Sequence, residues 1–357
     1  MSGKLRIKEI ADRTGLSIST VSRVLAGKAN TSARAKQLVL DCARAYGILE
    51  GMSAGRLLFN HLIVFAPRRA FDARADIFYF RMIQGIRSAV EPYEAHLTFC
   101  CIEENSSDIQ LFLQRLSDPV VEAAIIIGID DPLVHELAAD IGKPCVLLNC
   151  LDKGMRLDAV LPDHQQIGEF SANYLIRQGH RSILTMICLR RFTLERRLNG
   201  VKDACAANNI RFDIERDLIS TSGFGTEEAE LAIEAYLDSC LPDEYPSCIL
   251  AGGDFMAAGI MNVFSRRGIS VPDDISVMSM DGFNLASIQD VALTAVHVPR
   301  EELGQEAVGL LQRRIMRPSA PACNLLVGSK IVRGGSVKQM DRSAIKPAIK
   351  TRRSGLY

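Results

Sequence analysis

The chain has 357 residues, 48% of them hydrophobic, so it can bury a large core and should hold two or three domains. It has neither an apolar run of about 18 residues nor an apolar leader, so we expect a cytoplasmic protein without a membrane span or a secretory signal. The net charge is zero, but residues 1–58 carry ten Lys/Arg against four Asp/Glu and residues 341–357 carry five against one, which leaves an acidic middle.

Two short helices joined by a glycine turn are predicted near the N-terminus. Ile7, Ile10 and Ala11 recur at helical spacing and form one apolar stripe. Gly15 stands where a tight turn needs a positive φ, and Ser17 can cap the next helix by accepting a backbone N–H.

The second helix has two contrasting faces. Val21, Val24 and Leu25 form its inward stripe. The residues left outside are Ile18, Ser19, Ser22 and Arg23. A small, hydroxylated and basic outer face of this kind is typical of a helix-turn-helix, whose second helix lies in the DNA major groove. An ordinary helical hairpin with a solvated basic surface is the alternative.

A third helix is predicted from its cap, Ser32, to about Tyr46. Its apolar residues Leu38, Val39 and Cys42 would pack on the first two helices and close a three-helix core.

After a glycine-rich linker at 47–60, short apolar strands alternate with amphipathic helices. The predicted strands are Leu62–Ala66, Leu97–Cys101, Ala123–Ile127, Cys145–Leu148, Ser182–Ile187, Cys248–Leu250 and Ile275–Met280. The predicted helices are Phe78–Val90, Ile109–Leu116, Pro132–Ala139, Gln165–Gln178, Leu194–Asn208, Glu227–Ser239 and Phe255–Arg267. This alternation predicts an α/β fold of two doubly wound parallel sheets, in two lobes with a cleft between them.

Nothing in the sequence predicts a catalytic or metal site. The ten cysteines lack a CxxC pair or a metal-ligand spacing, so we expect no disulfide, no metal and no cofactor. There is no Gly-x-Ser-x-Gly elbow, Walker loop or HExxH motif. Glu103-Glu104 and Asp130-Asp131 fit helix caps better than an acid/base pair. We therefore expect no enzyme.

Residues 5–49 resemble the DNA-binding headpiece of the LacI/GalR (lactose-repressor) family of bacterial regulators, and weaker similarity continues to about residue 335. The matching pieces are Ile7-Lys8-Glu9-Ile10-Ala11, Gly15-Leu16-Ser17, Thr20-Val21-Ser22-Arg23-Val24-Leu25, Gly27 and Tyr46.

The resemblance implies a periplasmic-binding-protein-like effector domain in which the chain crosses between two lobes three times, near residues 160, 291 and 325. The implied segments are a helix-turn-helix headpiece at 1–50, a hinge at 51–60, an effector and dimerisation domain at 61–338 and a basic, disordered tail at 339–357.

By this resemblance Ile18, Ser19 and Arg23 contact base edges. Arginine can donate two hydrogen bonds to guanine O6 and N7, and Ile18 can pack on a thymine methyl group. The residues expected to contact phosphates are Ser17, Thr20 and Ser22.

The linker departs from the family pattern. Members usually form a hinge helix on the operator that inserts a leucine into the minor groove, but here Gly55 falls at the usual leucine position. Each glycine makes a helix costlier by about 1 kcal/mol relative to alanine. Leu57 or Leu58 can still supply the wedge, so both outcomes for the hinge stay open.

The implied effector contacts lie in loops at the carboxyl ends of strands. Arg197 matches an arginine that binds ligand hydroxyls or a carboxylate, Asp281 matches an aspartate that accepts from sugar hydroxyls, and Asp254 follows a strand in the same way. However, Gly253 replaces the usual asparagine and Val298 replaces a frequent polar residue. A structural salt bridge is the alternative role for Arg197 and Asp281.

Three more residues bear on the ligand. Asn149 stands where many sugar-binding members have aspartate, and Arg190 and Arg191 add positive charge after a strand. Guanidinium groups suit an anionic effector, so a sugar, sugar phosphate or sugar acid is expected. The alternative for the two arginines is a solvated loop.

These features predict a transcription regulator, acting as a repressor, that binds a double-stranded DNA operator as a homodimer under the control of a small effector. A tetramer is disfavoured because residues 341–357 contain no leucine heptad. Two other classes stay open: a solute-binding protein with a helical appendage, and a DNA-binding protein that ignores ligands.

Overall fold

The structure is a computed structural model that describes residues 3–25, 31–46, 49, 55–74, 76–93, 95–104, 107–283 and 291–340. Gly27, most of the linker and the tail from residue 341, which we expected to be disordered, lie outside the described residues. None of the described helices is long and apolar enough to cross a membrane.

The chain divides into two compact units. Unit 1 consists of the residues up to Leu161 together with Arg300–Leu326, and unit 2 consists of Pro162–Pro299 together with the residues from Val327 onward. The chain therefore passes between the units after Leu161, after Pro299 and after Leu326. The first and third passages lie close to the expected positions, but the second comes later than residue 291 because one more strand of unit 2 precedes it.

Most elements agree with the sequence-based prediction. The elements of unit 1 are α1 (Gly3–Thr14), α2 (Ile18–Leu25), α3 (Ala33–Ala45), β1 (His61–Ala66), α4 (Ile77–Val90), β2 (His96–Cys101), α5 (Ile109–Ser117), β3 (Ala123–Ile127), α6 (Pro132–Asp140), β4 (Cys145–Leu148), β5 (Asp158–Pro162), α12 (Arg300–Met316) and β11 (Asn324–Val327). The elements of unit 2 are α7 (His164–Arg177), β6 (Ile183–Ile187), α8 (Phe192–Ala207), α9 (Ile214–Asp217), β7 (Leu218–Ser220), α10 (Thr226–Asp238), β8 (Cys248–Ala251), α11 (Asp254–Arg267), β9 (Ser276–Ser279), β10 (Thr294–His297) and β12 (Lys330–Val332). The elements that the sequence did not predict are β5, α9, β7, β10, α12, β11 and β12.

The first three helices pack on one another, as predicted. Gly15 adopts a φ of +68° in the turn, and Ser32 caps α3 by accepting from the backbone N–H of Ala35 at 3.2 Å. The prediction for Leu38 was wrong, because its side chain is 41% exposed. The buried residues of α3 are Ala35, Val39 and Ala43, which are spaced four apart, together with Leu40.

The two sheets share one strand order. The strand order is β2-β1-β3-β4-β5-β11 in unit 1 and β7-β6-β8-β9-β10-β12 in unit 2. Strand β10 pairs with β12 antiparallel, whereas the pairs from β2 to β5 in unit 1 and from β7 to β10 in unit 2 are parallel. The order reverses beside β1 and beside β6, so both sheets are doubly wound and the predicted fold class is confirmed. Ligands of such sheets bind at the carboxyl ends of the strands where the order reverses.

Each unit contains a helix crossing in which two backbones nearly touch at a pair of glycines. In unit 1 the crossing joins α4 and α12 at Gly85 and Gly304, and in unit 2 it joins α7 and α8 at Gly168 and Gly200. A Cβ atom on any of the four would lie 1.9–2.1 Å from a carbonyl oxygen of the facing helix. Only glycine therefore fits these positions.

We expect Gly304→Ala to lower the free energy of unfolding by about 1–3 kcal/mol, because the added methyl group must push α12 away from α4. Gly309→Ala is the matched control, since a Cβ atom on this exposed glycine of the same helix would have nothing within 4 Å. Alanine there should leave stability unchanged or raise it by roughly 0.5–1 kcal/mol. Denaturant unfolding measures both, and equal stability of the two variants would contradict the crossing.

Candidate functional site

The α2 helix begins with a complete cap. The Ser17 hydroxyl accepts from the backbone N–H of Thr20 at 3.0 Å and lies 2.9 Å from the Thr20 hydroxyl. The Ser17 carbonyl accepts from the N–H of Val21 at 3.0 Å. A capped first turn keeps this short helix formed although it has only eight residues.

The outer face of α2 is open. The exposed residues on it are Ile18, Ser19, Ser22 and Arg23. Ile18 is 54% exposed, whereas Val21, Val24 and Leu25 on the opposite face are buried. The predicted base-contacting residues therefore share one face that takes no part in the core. Thr20 is half-buried.

Leu57 lies in a different environment from the other predicted DNA contacts. It is 8% exposed, and its neighbours Leu58 and Phe59 are 9% and 1% exposed. A leucine wedge at this position would have to leave its packing in unit 1, so the role of Leu57 stays a prediction.

Five of the predicted effector residues lie in unit 2, at the carboxyl ends of β6, β8 and β9. Arg197, in the second turn of α8, is 3% exposed. Its guanidinium group donates to the carbonyl of Gly252 at 2.8 Å and to Asp281 Oδ1 at 2.7 Å, and its Nε donates to His164 Nδ1 at 3.2 Å. We call Arg197, Asp281, Asp254 and His164 the polar cluster.

The Arg197–Asp281 pair is compatible both with the predicted ligand-binding role and with the alternative role of a structural salt bridge. Arg197 is nearly inaccessible, whereas the Asp281 side chain keeps 17% exposure. The arginine can therefore orient the carboxylate, which is partly exposed and is chemically suited to accept hydrogen bonds.

Asp254 holds the loop after β9. It is 1% exposed and accepts from the backbone N–H groups of Gly282 at 3.0 Å and Phe283 at 2.6 Å, and from the Ser279 hydroxyl. Burial raises the pKa of this carboxyl group, and the nearby charge of Asp281 raises it further. Its hydrogen bonds make it a group that positions the loop carrying Asp281, and direct contact with a ligand stays a prediction.

His164 is a member of the cluster that the sequence reasoning missed. It is the first residue of α7, and the close crossing of α7 with α8 brings its ring against Arg197. Burial and the positive charge of Arg197 lower its pKa well below the ordinary value, so the ring is neutral and Nδ1 accepts from the guanidinium. An isolated histidine before an apolar helix carries no signal of this role.

The two arginines after β6 differ in environment. Arg190 is exposed, and its guanidinium lies 5.0 Å from the ring centre of Phe224. Arg191 is 7% exposed, and its carbonyl accepts from the N–H of Leu194 in the first turn of α8. Arg190 is thus the more accessible of the two charges.

Asn149, the sixth predicted effector residue, belongs to unit 1. It follows β4 with a φ of +56°, is 3% exposed, and donates from Nδ2 to the hydroxyl of Tyr79 at 3.2 Å. Across the described residues, no group of three or more His, Cys, Asp or Glu could hold a metal ion.

This chain is similar to bacterial transcription regulators. The family model of the periplasmic binding protein-like domain matches residues 172–337. The repressor PurR of Photobacterium profundum is 25% identical over 315 residues, which cover 87% of this chain and 91% of the relative. The repressor CytR of Escherichia coli (strain K12) is 25% identical over 340 residues, which cover 94% and 96%.

Solved structures agree on the fold. A CelR–cellobiose complex aligns with a TM-score of 0.65 and 20% identity over 92% of this chain and 99% of that one. A LacI-family regulator from Enterococcus faecium with bound ribose aligns with a TM-score of 0.65 and 21% identity over 79% and 100%. A LacI-type regulator from Bacillus cereus subsp. cytotoxis reaches 0.68 at 22% identity over 79% and 100%. The predicted resemblance to the LacI/GalR family is confirmed, and the relatives are regulators rather than enzymes.

The buried His164 predicts a pH dependence of stability. Its folded-state pKa is lowered, so its contribution is retained above the ordinary pKa of about 6.5 and lost as the pH falls, because only the unfolded chain then binds the proton. His164→Asn keeps an acceptor near Nδ1 but cannot titrate. Between pH 7.5 and pH 5, the variant should lose up to about 2 kcal/mol less stability than the parent.

Denaturant unfolding at both pH values measures this difference. Burial lowers the pKa of His180 to about 4. This residue contributes the same pH dependence of stability to both proteins, so its effect cancels in the comparison. Identical pH dependence of the parent and the variant would show that His164 is not held neutral.

Proposed function

We propose, on the premise of the confirmed resemblance to the LacI/GalR family of transcription regulators, that this protein is a sequence-specific repressor controlled by a small metabolite. The observation that carries the proposal is the outer face of α2, where Ile18, Ser19 and Arg23 are exposed while every inward position is apolar and buried. The helical headpiece, linker, effector domain and basic tail, with the boundaries predicted from the sequence, belong to the same proposal.

In this proposal α2 lies in the major groove. Arg23 donates two hydrogen bonds to a guanine, and Ile18 packs on a thymine methyl group. Ser17, Thr20 and Ser22 hold phosphates and set the register of the helix on the duplex. One short helix contacts few base pairs, so two copies of the chain acting as a homodimer on two half-sites supply the specificity.

We further propose a sugar or a sugar derivative as the effector. Solved relatives hold cellobiose and ribose, and the partly exposed carboxylate of Asp281, which Arg197 orients, is the kind of acceptor that hydroxyl-rich ligands need. The exposed Arg190 adds a positive charge that favours a phosphate or carboxylate on the same ligand. Such a ligand changes DNA affinity only as far as it prefers one arrangement of the protein over another.

We expect Arg23→Ala to reduce the preference for operator over random DNA roughly ten- to a hundredfold, the effect of losing a bidentate contact with a guanine. The measurement is the ratio of the two dissociation constants at physiological salt, with a fragment from upstream of the protein's own gene as the specific DNA. Arg34→Ala, at an exposed position in the first turn of α3, is the control. It should weaken both DNAs equally and leave the ratio unchanged. A parent protein without any preference would refute the repressor proposal.

We expect a thermal-shift screen with ribose, cellobiose, glucose 6-phosphate and gluconate to show stabilisation by the anionic compounds above all. Arg190→Gln should reduce the response to the anionic compounds and leave the neutral sugars unaffected, whereas Arg211→Gln, an exposed arginine of the same unit, should change neither. Stabilisation by neutral sugars alone would contradict the anionic effector, and no stabilisation by any compound would contradict ligand control while leaving DNA binding intact.

A further inference from the structure

The headpiece contacts the body of unit 1 through its third helix. Arg44, near the end of α3, donates from Nη2 to the carbonyl of Ile315 at 2.7 Å and from Nε to the carbonyl of Met316 at 3.0 Å. Lys36, two turns earlier, forms an ion pair of 2.5 Å with Glu122, which directly precedes β3. These side chains are only 16–28% exposed, so the contacts are partly shielded from water.

The carboxyl end of α12 suits an arginine from another segment. The last four carbonyls of a helix lack intrahelical partners, and the helix dipole places partial negative charge there. Arg44 satisfies two of these carbonyls with a charged, forked donor, which is among the strongest hydrogen-bonding arrangements in proteins. The site is therefore more specific than a surface ion pair, which contributes little to stability by itself.

The same part of unit 1 also binds the end of the linker. The Glu122 carboxylate that pairs with Lys36 accepts from the backbone N–H of Asn60 at 2.7 Å. Gln312 of α12 accepts from the N–H of Leu58 and donates to the carbonyl of Arg56, both at 2.7 Å. The headpiece and the linker are thus held by neighbouring groups on one surface.

This surface belongs to a closely packed part of unit 1, and the outer face of α2 stays exposed beside it. The close crossing at Gly85 and Gly304 locks α12 onto α4. Ile18 and Arg23 of α2 remain exposed while α3 makes the contacts. Gly55, by contrast, makes helix formation in the linker less favourable than alanine would.

We propose that Arg44 and Lys36 are positioning residues that hold the headpiece on the carboxyl end of α12, so that α2 meets DNA already oriented. This contact takes over the orienting role of the family's hinge helix. That role rests on the proposed DNA-binding function. Because the headpiece then moves with unit 1, a ligand that shifts unit 1 also shifts α2.

The test compares two double variants of the full chain. In Arg44→Gln/Glu122→Gln the headpiece loses one charge and the body loses the opposite one, while the amide of residue 122 can still accept from Asn60. Arg34→Gln/Glu91→Gln is the matched control, with the same change in charge at two exposed positions. Neither variant changes the outer face of α2.

The first measurement needs no DNA. Relaxation of backbone ¹⁵N nuclei should show that the headpiece of the parent and of the control tumbles at the rate of the whole chain. In the first double variant it should tumble several-fold faster, and the Arg44→Lys variant, which keeps one donor group, should lie between. Independent tumbling of the parent headpiece would overturn the proposal.

The second measurement is the preference for the upstream fragment over random DNA. Loss of docking should reduce it about tenfold through weaker specific binding, because the headpiece must then be ordered at the moment of binding. The control should match the parent. A gain in specific affinity would mean that docking inhibits the headpiece, and would overturn the proposal. Absence of any preference in the parent would refute the DNA-binding function itself, whatever the tumbling rates show.

Discussion

Two helix crossings in which backbones nearly touch position Arg197 with His164 and the end of α12 that receives Arg44. In unit 2, Gly168 and Gly200 let α7 approach α8 so closely that His164 reaches Arg197. In unit 1, the equivalent crossing fixes α12, whose carboxyl end receives Arg44. Close-packed interiors leave no room for an added methyl group, so a substitution at either crossing displaces a whole helix together with the polar groups it carries.

The fold could be predicted where the hydrophobic pattern is strong. The strands β1, β3 and β4 are continuous apolar runs, and helices such as α4 show clear helical spacing, so their ends were found within a few residues. The elements that the sequence did not predict have weaker hydrophobic patterns. Strands β11 and β12 are short and partly exposed, and α12 contains Gly304 and Gly309, which argue against a helix until the facing backbone is known.

The candidate sites also differ in how far the sequence predicts them. The exposed face of α2 follows from local spacing, because the inward positions Val21, Val24 and Leu25 leave only one outer face. The cluster around Arg197 joins residues that are far apart in the chain, and only the family resemblance pointed to Arg197 and Asp281. His164 had no signal in the sequence, since its role depends on the crossing of two helices.

The outer face of α2 also has an evolutionary consequence. Ile18, Ser19 and Arg23 bury nothing in the protein core, so substituting them should cost the folded state little. Under the proposed function, mutation can therefore change which nucleotide sequence is recognised without first passing through an unstable intermediate. The residues that aim this helix are constrained by packing and charge, so targets can diverge among descendants while the scaffold that presents them persists.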